Sequence, residues 1–556
     1  MCLKNGLELK DSIIKYLKDL QRYELEDIQT ILNLSREDKI QNGFLIPDAV
    51  ISKKNEFDQY ELQVKENNSK LRPGDSVILY KKETEIKVKA KIIENNFNVI
   101  SINATSQLEI NEIFDIEVIQ SSVIDTIISV AAKLEPGAPG FSFLKQLTGE
   151  DVIRLKGFGE LTTNNDYSFL NSEQLSITKL MFQRPSMRCL QGPPGTGKTK
   201  VLSAIAQAFS KEGKEVLIIS LTHQAVNNAL NAIYKISANN KNIQKIGDKI
   251  KAEGLNSEIN NFQYYGEYIS YRKKNKKNKN GAIVGMTFHS AMSNLGLHSS
   301  GFTPSIIMVD EAGQMPMYFG ALIGILGAGS ILFLGDDRQM PPIFHPKLEN
   351  NSLSTSIFSW ICEKFPELKT VLTTTYRMND EITEYVSKNF YEPYGIKLKS
   401  HKISAKRQLL FNCENEKQEI KDIFETEKSI HELAVSSENW EDFNKEEANF
   451  ILIIVRFLIK QNFNISDFAI VTPFRRQVKT IRATLLENGI EEKQMPLIDT
   501  VERLQGQDVE MIIISFAVTD QKYFLLNEAF IMNKNRLNVM VSRAKRKVIL
   551  LKGKKF

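Results

Sequence analysis

Gly192-Pro193-Pro194-Gly195-Thr196-Gly197-Lys198-Thr199 has the residue types and spacing of a phosphate cradle. Its glycines let backbone N–H groups close around phosphate oxygens, and the helix that follows turns its N-terminus toward that charge. Lys198 has the reach for β- and γ-phosphates, and the Thr199 hydroxyl suits a Mg²⁺ ligand. The apolar run Ile306–Val309 ends in Asp310 and Glu311, with Asp310 lying 112 residues after Lys198. Asp310 is placed to hold Mg²⁺ through water, and Glu311 to activate an attacking water as general base. Gly335-Asp336-Asp337-Arg338-Gln339 follows another apolar run. An amide such as Gln339 can sense a γ-phosphate; the bland reading of the same segment is a polar turn capped by Asp336. Cations stand later in the chain, at Arg377, at Arg475-Arg476, and in Arg536 and Arg543. A lone arginine is ordinarily a surface residue, whereas a finger arginine in phosphoryl transfer contributes roughly 10³–10⁵ in rate.

Such groups need a scaffold that ends apolar strands at a common edge. Beyond Cys189 the chain supplies strand-like runs at Val216–Ser220, Ala282–Gly285, Ile306–Val309, Ile331–Leu334, Phe468–Val471, Met511–Ser515 and Val548–Leu551. Helical patterns separate most of them, the signature of parallel α/β sheets. Two stretches depart from this alternation. Residues 235–280 are polar and close on the basic run Arg272–Lys279, and residues 414–447 are acidic and weakly periodic; both read as solvated loops. Before Cys189 the text differs. Leu9, Ile13, Ile14, Leu17, Leu20, Leu25, Ile28, Ile31 and Leu32 are spaced for one or two amphipathic helices. Alternating residues between about 43 and 120 predict a small β-barrel, and residues 121–135 turn helical again.

Composition narrows the class. The chain has 556 residues, 42% hydrophobic and 25% charged, which excludes wholesale disorder, collagen and coiled coil. The charge balance of 72 basic against 67 acidic residues leaves +5, compatible with a polyanion partner but not an argument for one. Cys2, Cys189, Cys362 and Cys413 form no CxxC pair, so a reduced protein without a disulfide framework is expected. Met1–Leu20 is broken by charges and is no signal peptide. The most apolar stretch, Gly320–Gly335, is 16 residues long and acid-flanked, which predicts a buried helix and strand and no membrane partner. A cytoplasmic protein is the expectation.

Taken in order, these segments resemble the superfamily 1B helicases, especially the nonsense-mediated-decay-type (Upf1-like) branch and its bacterial relatives. Asn171-Ser172-Glu173-Gln174 looks like the Q motif, with Gln174 on adenine. Gly192–Thr199 is similar to motif I and Thr222–Asn227 to motif Ia, while Gly285–Ala291 resembles motif Ic. Asp310–Gln314 and Gly335–Pro342 resemble motifs II and III, and Thr375–Met378 motif IV. Val471–Gln477, Asp499–Asp508 and Arg536–Lys545 complete the set, the last two as motifs V and VI.

The resemblance implies two RecA-like P-loop domains with parallel sheets, preceded by stalk helices and a 1B-like barrel and carrying an inserted polar, 1C-like subdomain at about 235–280. Boundaries are expected at 1–165, 166–345 and 346–556. It implies ATP and Mg²⁺ in the cleft, with Arg377 and Arg543 reaching in from the second domain and Gly506 and Asp508 near the nucleotide. It implies single-stranded DNA or RNA as partner, contacted by Thr222, Thr287, Pro473 and Thr500, with 5′ to 3′ movement typical. Phe288 and Phe474 are candidates to stack on bases, with a core role as the alternative for each. Asn227, Thr375, Asp380, Asp508 and Glu510 depart from the usual motif residues, and the shorter Asp508 predicts a weaker contact near the nucleotide. A clamp or remodelling ATPase that separates no strands is the alternative reading. A small-molecule kinase is disfavoured by the second-domain arginines.

Overall fold

The computed structural model of the chain describes residues 5–55, 59–65, 67, 69, 71, 75–81, 86–95, 98–118, 124–151, 167–183, 187–237, 242–274, 280–294, 303–436, 439–504 and 507–553. Gly506, the end of the basic run at 275–279 and the expected boundary at 165 lie outside the described residues.

Strands β1 (Leu45–Lys54), β2 (Gln59–Gln63), β3 (Ser76–Lys81), β4 (Lys87–Asn95), β5 (Val99–Ala104) and β6 (Ile113–Val118) close an antiparallel barrel in the order β1-β2-β5-β4-β3-β6. Its inside is apolar, with Ile51, Leu62, Val77, Leu79, Ile92, Ile100 and Ile102 fully buried. Alternation along each strand makes this possible, since every second side chain faces inward.

The helices flanking the barrel do not stand apart with it. Gly6–Leu32 is one 27-residue helix capped by Asn5. Its N-terminal half packs with helices Ile124–Ala132 and Pro139–Thr148 on the first lobe and shares that lobe's core. Tyr16 Oη lies 3.0 Å from Ser354 Oγ, and Trp360 Nε1 donates to the Leu147 carbonyl at 3.2 Å. The C-terminal half leaves Leu25 and Leu32 exposed although they continue the same stripe.

The first lobe is an eight-stranded, fully parallel sheet. It contains β7 (Arg188–Gln191), β8 (Val216–Ser220), β9 (Ile243–Ile246), β10 (Asn260–Phe262), β11 (Ile283–Thr287), β12 (Ile306–Val309), β13 (Ser330–Gly335) and β14 (Lys369–Val371), in the order β10-β9-β11-β8-β12-β13-β7-β14. Helices cover both faces, so the central strands are buried throughout. Two expectations change here. Among its described residues the polar stretch 235–280 extends the sheet and forms no separate one: β9 pairs in parallel with β11, and β10 with β9. Within β9 Ile243 and Ile246 alone are apolar, too short a run to outweigh the polar text around it. The sheet also continues past residue 345, since β14 pairs with β7.

A two-stranded ribbon, β15 (Thr374–Thr375) with β16 (Lys399–Ser400), leads into the second lobe. Its parallel sheet contains β17 (Ile430–Ser436), β18 (Phe468–Thr472), β19 (Leu497–Thr500), β20 (Val509–Ser515) and β21 (Ala544–Gly553), ordered β17-β21-β20-β18-β19. The acidic stretch 414–447 is therefore not a loop: it holds helix Gln418–Phe424 and edge strand β17. Helix Met317–Leu322 and β13 account for the apolar run at 320–335. Among the described residues no helix is long and apolar enough to cross a membrane.

A candidate nucleotide site between two lobes

Buried strands fix the chemistry by fixing where they end. Ile306–Val309 is wholly buried, and each such side chain stabilises by about 1.5–3 kcal/mol. Asp310 and Glu311 are thereby held at the carboxyl end of β12, beside the loop that leaves β7. That loop bends back at Gly192, whose N–H donates to the Gly335 carbonyl at 2.9 Å. Gly195 (φ +71°) and Gly197 (φ +84°) take the left-handed conformation. A Cβ on Gly197 would sit 2.4 Å from Gln174 Nε2, and one on Gly195 2.5 Å from Arg377 Cβ. Only glycine fits a cradle this close to its neighbours.

Lys198 opens a 14-residue helix whose N-terminus no side chain caps. Its Nζ lies 2.8 Å from Glu311 Oε1 and 3.4 Å from Asp310 Oδ1. Burial pulls the Lys198 pKa down, but Glu311 and Asp310 overcome that and hold it above its ordinary value. Burial pushes Asp310 up, opposed by Lys198, whereas Lys198 and Arg543 outweigh burial at Glu311 and keep it ionised. Glu311 itself is a non-glycine residue at φ 55°, a conformation that costs roughly 1–2 kcal/mol and turns its carboxylate toward Lys198. Gln314 Nε2 steadies it from 3.2 Å.

The second lobe completes the wall. Arg377 donates through its guanidinium to the Ser542 carbonyl at 2.9 Å and pairs with Asp508 at 2.5 Å. Asp508, despite its shorter side chain, thus reaches a direct contact, and that contact is with an arginine. Arg543 is 6% exposed; burial, then the like charge of Arg377, lowers its pKa to about 10, which leaves it cationic at neutral pH. Lys198, Thr199, Asp310, Glu311, Gln339, Arg377, Glu502 and Arg543 line one cavity of about 710 Å³. Leu71 and Asn95 of the barrel reach the same cavity.

The seam around it is hydrogen-bonded. Thr375 Oγ1 donates to the Pro194 carbonyl at 2.8 Å, and the Tyr376 N–H to the Gly195 carbonyl at 2.8 Å. Glu173 accepts from the Thr373 N–H and hydroxyl at 3.0 and 2.6 Å. Gln174 is placed as a brace of the cradle. Its Nε2 donates to the Thr196 carbonyl at 2.9 Å, its Oε1 accepts from the Asn171 N–H at 3.1 Å, and it is 1% exposed.

The four residues expected on nucleic acid stand at carboxyl ends of parallel strands: Thr222 after β8, Thr287 on β11, Pro473 after β18 and Thr500 on β19. Thr222 and Thr287 use their hydroxyl oxygens to cap helices, accepting from Ala225 and Ser290 N–H at 3.2 Å each. Phe288 is not a stacking platform. It is fully buried and stacks on Phe319 at 4.5 Å. Phe474 is half-buried beside Tyr523 and Phe530.

Tyr391 belongs to no motif of the sequence, and Asn535 and Asn538 stand in it as neighbours of Arg536. They hold the Asp336–Gln339 segment from the opposite lobe. A tyrosine 52 residues beyond Gln339 carries no spacing signal that would have found it.

In sequence, both lobes are similar to known proteins. Residues 169–357 and 353–555 each match an AAA domain family. The chain is 27% identical over 410 residues to the DNA replication ATP-dependent helicase/nuclease DNA2 of Saccharomyces cerevisiae, covering 69% of this chain and 26% of that one. It is 32% identical over 263 residues to an uncharacterized ATP-dependent helicase of Methanocaldococcus jannaschii, covering 45% and 36%. It is 23% identical over 435 residues to the DNA polymerase alpha-associated DNA helicase A of Schizosaccharomyces pombe, covering 69% and 63%. The chain thus spans about a quarter to a third of the first two relatives. A solved arterivirus nonstructural protein 10 (helicase) aligns at TM-score 0.40 and 12% identity over 93% of this chain and 80% of its own. Both lobes of the chain are thus similar in sequence to AAA domains and to ATP-dependent helicases.

Proposed function

We propose that the chain hydrolyses ATP between its lobes to drive movement along single-stranded nucleic acid, separating strands as it goes. One observation carries this reading. Arg377 and Arg543 of the second lobe line the same cavity as Lys198, Asp310 and Glu311 of the first. A phosphate-binding fold with no coupling role has no use for two buried guanidiniums contributed from a separate domain.

The residues fit a triphosphate with its metal. Arg377 Nε and Arg543 Nε are buried without a hydrogen-bond partner among the described residues, and the glycine cradle leaves space that side chains would fill. Thr199 and Asp310 would hold Mg²⁺, which when bound neutralises charge on the phosphate oxygens. Lys198, turning from Glu311 to the phosphates, frees that carboxylate to take the proton of an attacking water. Arg377 and Arg543 stabilise the charge that develops on the transferred group, so they draw the lobes together most strongly where the reaction needs them. Gln339, on the cavity wall, links the state of the γ-phosphate to the seam.

For the track, a capping threonine whose oxygen accepts from the helix keeps its own O–H to donate, and phosphate oxygens are acceptors. Thr222 and Thr287, with the backbone at Pro473 and Thr500, form such an edge in each lobe. Within superfamily 1 we place the chain in branch 1B, with the Upf1-like members; the long stalk helix and six-stranded barrel support that placement. The relatives' printed roles favour DNA as the first substrate to test.

The test measures phosphate release with DNA and RNA oligonucleotides, then strand displacement on 5′- and 3′-overhang duplexes. Stimulated hydrolysis with displacement from a 5′ overhang is expected, with affinity falling steeply as salt rises. Stimulated hydrolysis without displacement on either duplex would make the chain a clamp. Absence of hydrolysis under every condition would overturn the reading.

A further inference from the structure

One carboxylate oxygen ties the two lobes together at the sensor segment. Asp336 sits at the end of β13 and is 4% exposed. Its Oδ1 accepts from Gln191 Nε2 at 2.9 Å and from the Arg338 N–H at 3.1 Å. Its Oδ2 accepts from two donors of different lobes, Gln339 Nε2 at 2.7 Å and Tyr391 Oη at 2.6 Å. Tyr391 is fully buried and receives a hydrogen bond from Asn538 Nδ2 at 3.0 Å; the same amide donates to the Arg338 carbonyl at 2.7 Å. Asn535, three residues earlier on helix Lys534–Val541, donates to the Asp337 and Gln339 carbonyls. Arg338 covers the ring of Tyr394 at 3.3 Å.

Tyr391 reaches across because helix Asp380–Val386 does not continue as an α-helix. It widens into a π-helical turn, Ser387–Tyr391, held by Ser387 Oγ donating to Glu392 at 3.0 Å and accepting from the Leu398 N–H at 2.9 Å. Such turns are rare and concentrate at functional sites. Helix Lys534–Val541 leads through Ser542 directly into Arg543. A single helix therefore reads the sensor segment with Asn535 and Asn538 and delivers a cavity arginine beyond its end.

We infer that Tyr391 is a positioning residue for hydrolysis. Through Asp336 it holds the Gln339 amide in competition with the γ-phosphate, so that release of Gln339 from Asp336 is transmitted to Tyr391, Asn538 and the helix that delivers Arg543. The inference rests on the ATPase reading above and deepens it. The geometry supplies the competition: when the Gln339 amide turns into the cavity, the shared oxygen keeps only the phenol, and the bond across the seam tightens. Hydrogen bonds to buried carboxylates are among the stronger ones, so a single hydroxyl suffices to bias the seam.

The test is an epistasis measurement in the full chain. Tyr391→Phe removes the hydroxyl and keeps the ring. In the otherwise wild-type chain it is expected to lower nucleic-acid-stimulated kcat by about tenfold, the effect of one such bond, while the KM for ATP stays within about twofold. In a Gln339→Ala background the same change is expected to have no further effect on kcat, because the group it acts through is gone. Asn538→Ala should show the same pattern, a second route if Tyr391→Phe lowers the melting temperature. An equal fold-loss of kcat in both backgrounds, or no loss in the first, overturns the inference while leaving the ATPase reading intact. An unmodified chain that hydrolyses no ATP overturns the reading beneath it.

Discussion

The two lobes share one architecture, a parallel sheet with helices on both faces, and differ in what they bring to the seam. The first supplies a pre-bent cradle with its own counter-charge, since Lys198 is neutralised by Glu311 and Asp310 within one lobe. The second supplies cations whose charge is only partly answered. Arg377 has Asp508, while Arg543 is buried with its Nε lacking a partner among the described residues. Burying a guanidinium without full pairing costs several kcal/mol, which a folded chain bears where an anion is to be met. Under the proposed ATPase reading this difference divides the roles: the first lobe would bind and activate, and the second would respond to what is bound.

That comparison breaks first at Arg543. Arg543→Ala is expected to lower kcat by about 10³ while ATP affinity falls tenfold at most, read by single-turnover phosphate release beside equilibrium binding. Loss of binding in equal measure would make Arg543 part of the cradle and erase the division of labour. Glu311→Gln should cost on the order of 10²–10³ in turnover with ATP binding retained, because the general base is lost and the cradle is not. Steady-state hydrolysis at the original rate would remove Glu311 from that role.

Gly195→Ala sharpens the seam itself. The new Cβ meets Arg377 and Thr375 at 2.5 and 2.6 Å from a left-handed backbone, so a loss of about 1–3 kcal/mol is expected in denaturant unfolding, together with weaker ATP binding. Wild-type values in both measurements would mean that the lobes are not closely apposed there.

The smallest effect lies inside the second lobe, away from the cleft. Glu447 is fully buried, accepting from Ser515 Oγ at 2.5 Å and the Ala517 N–H at 3.1 Å. Burial outweighs both bonds and pushes its pKa up to about 8. The folded chain therefore keeps a proton that the unfolded chain gives up near 4.5. Its contribution to stability is complete at acidic pH and declines as pH rises toward about 8. Glu447→Gln should flatten that decline, visible as a melting temperature that changes less across this range. An unchanged slope would show that Glu447 is ionised in the fold.

The cleft was the most legible part of the chain, for a physical reason. Phosphate chemistry demands fixed residue types at fixed spacing, so Gly192–Thr199, Asp310, Glu311, Gln339, Arg377 and Arg543 announced themselves and gather on one cavity. The central strands were legible because burial on both faces makes them uniformly apolar. Strands at or next to a sheet edge were not: β9 and β10 are short and lie in polar text, β17 lies in acidic text, and pairing with a neighbour makes them strands. Side chains whose role is to hold other side chains were also hidden. Gln174 braces the cradle, Phe288 is core, and Tyr391 reaches Asp336 through a π-helical turn that no periodicity encodes. The stalk reading divided likewise. Its apolar stripe predicts a helix correctly, but nothing in the stripe tells that Leu9–Leu20 is buried on the first lobe while Leu25 and Leu32 face solvent.

The central claim is that one triphosphate is held from both lobes at once. It is tested most directly by the distance between labels at the exposed positions Glu212 on the first lobe and Glu487 on the second, followed as a non-hydrolysable ATP analogue is added. The account predicts a saturable change in that distance in the wild-type chain, abolished in a chain carrying Arg377→Ala and Arg543→Ala that still binds the analogue. The same saturable change in both chains would contradict it.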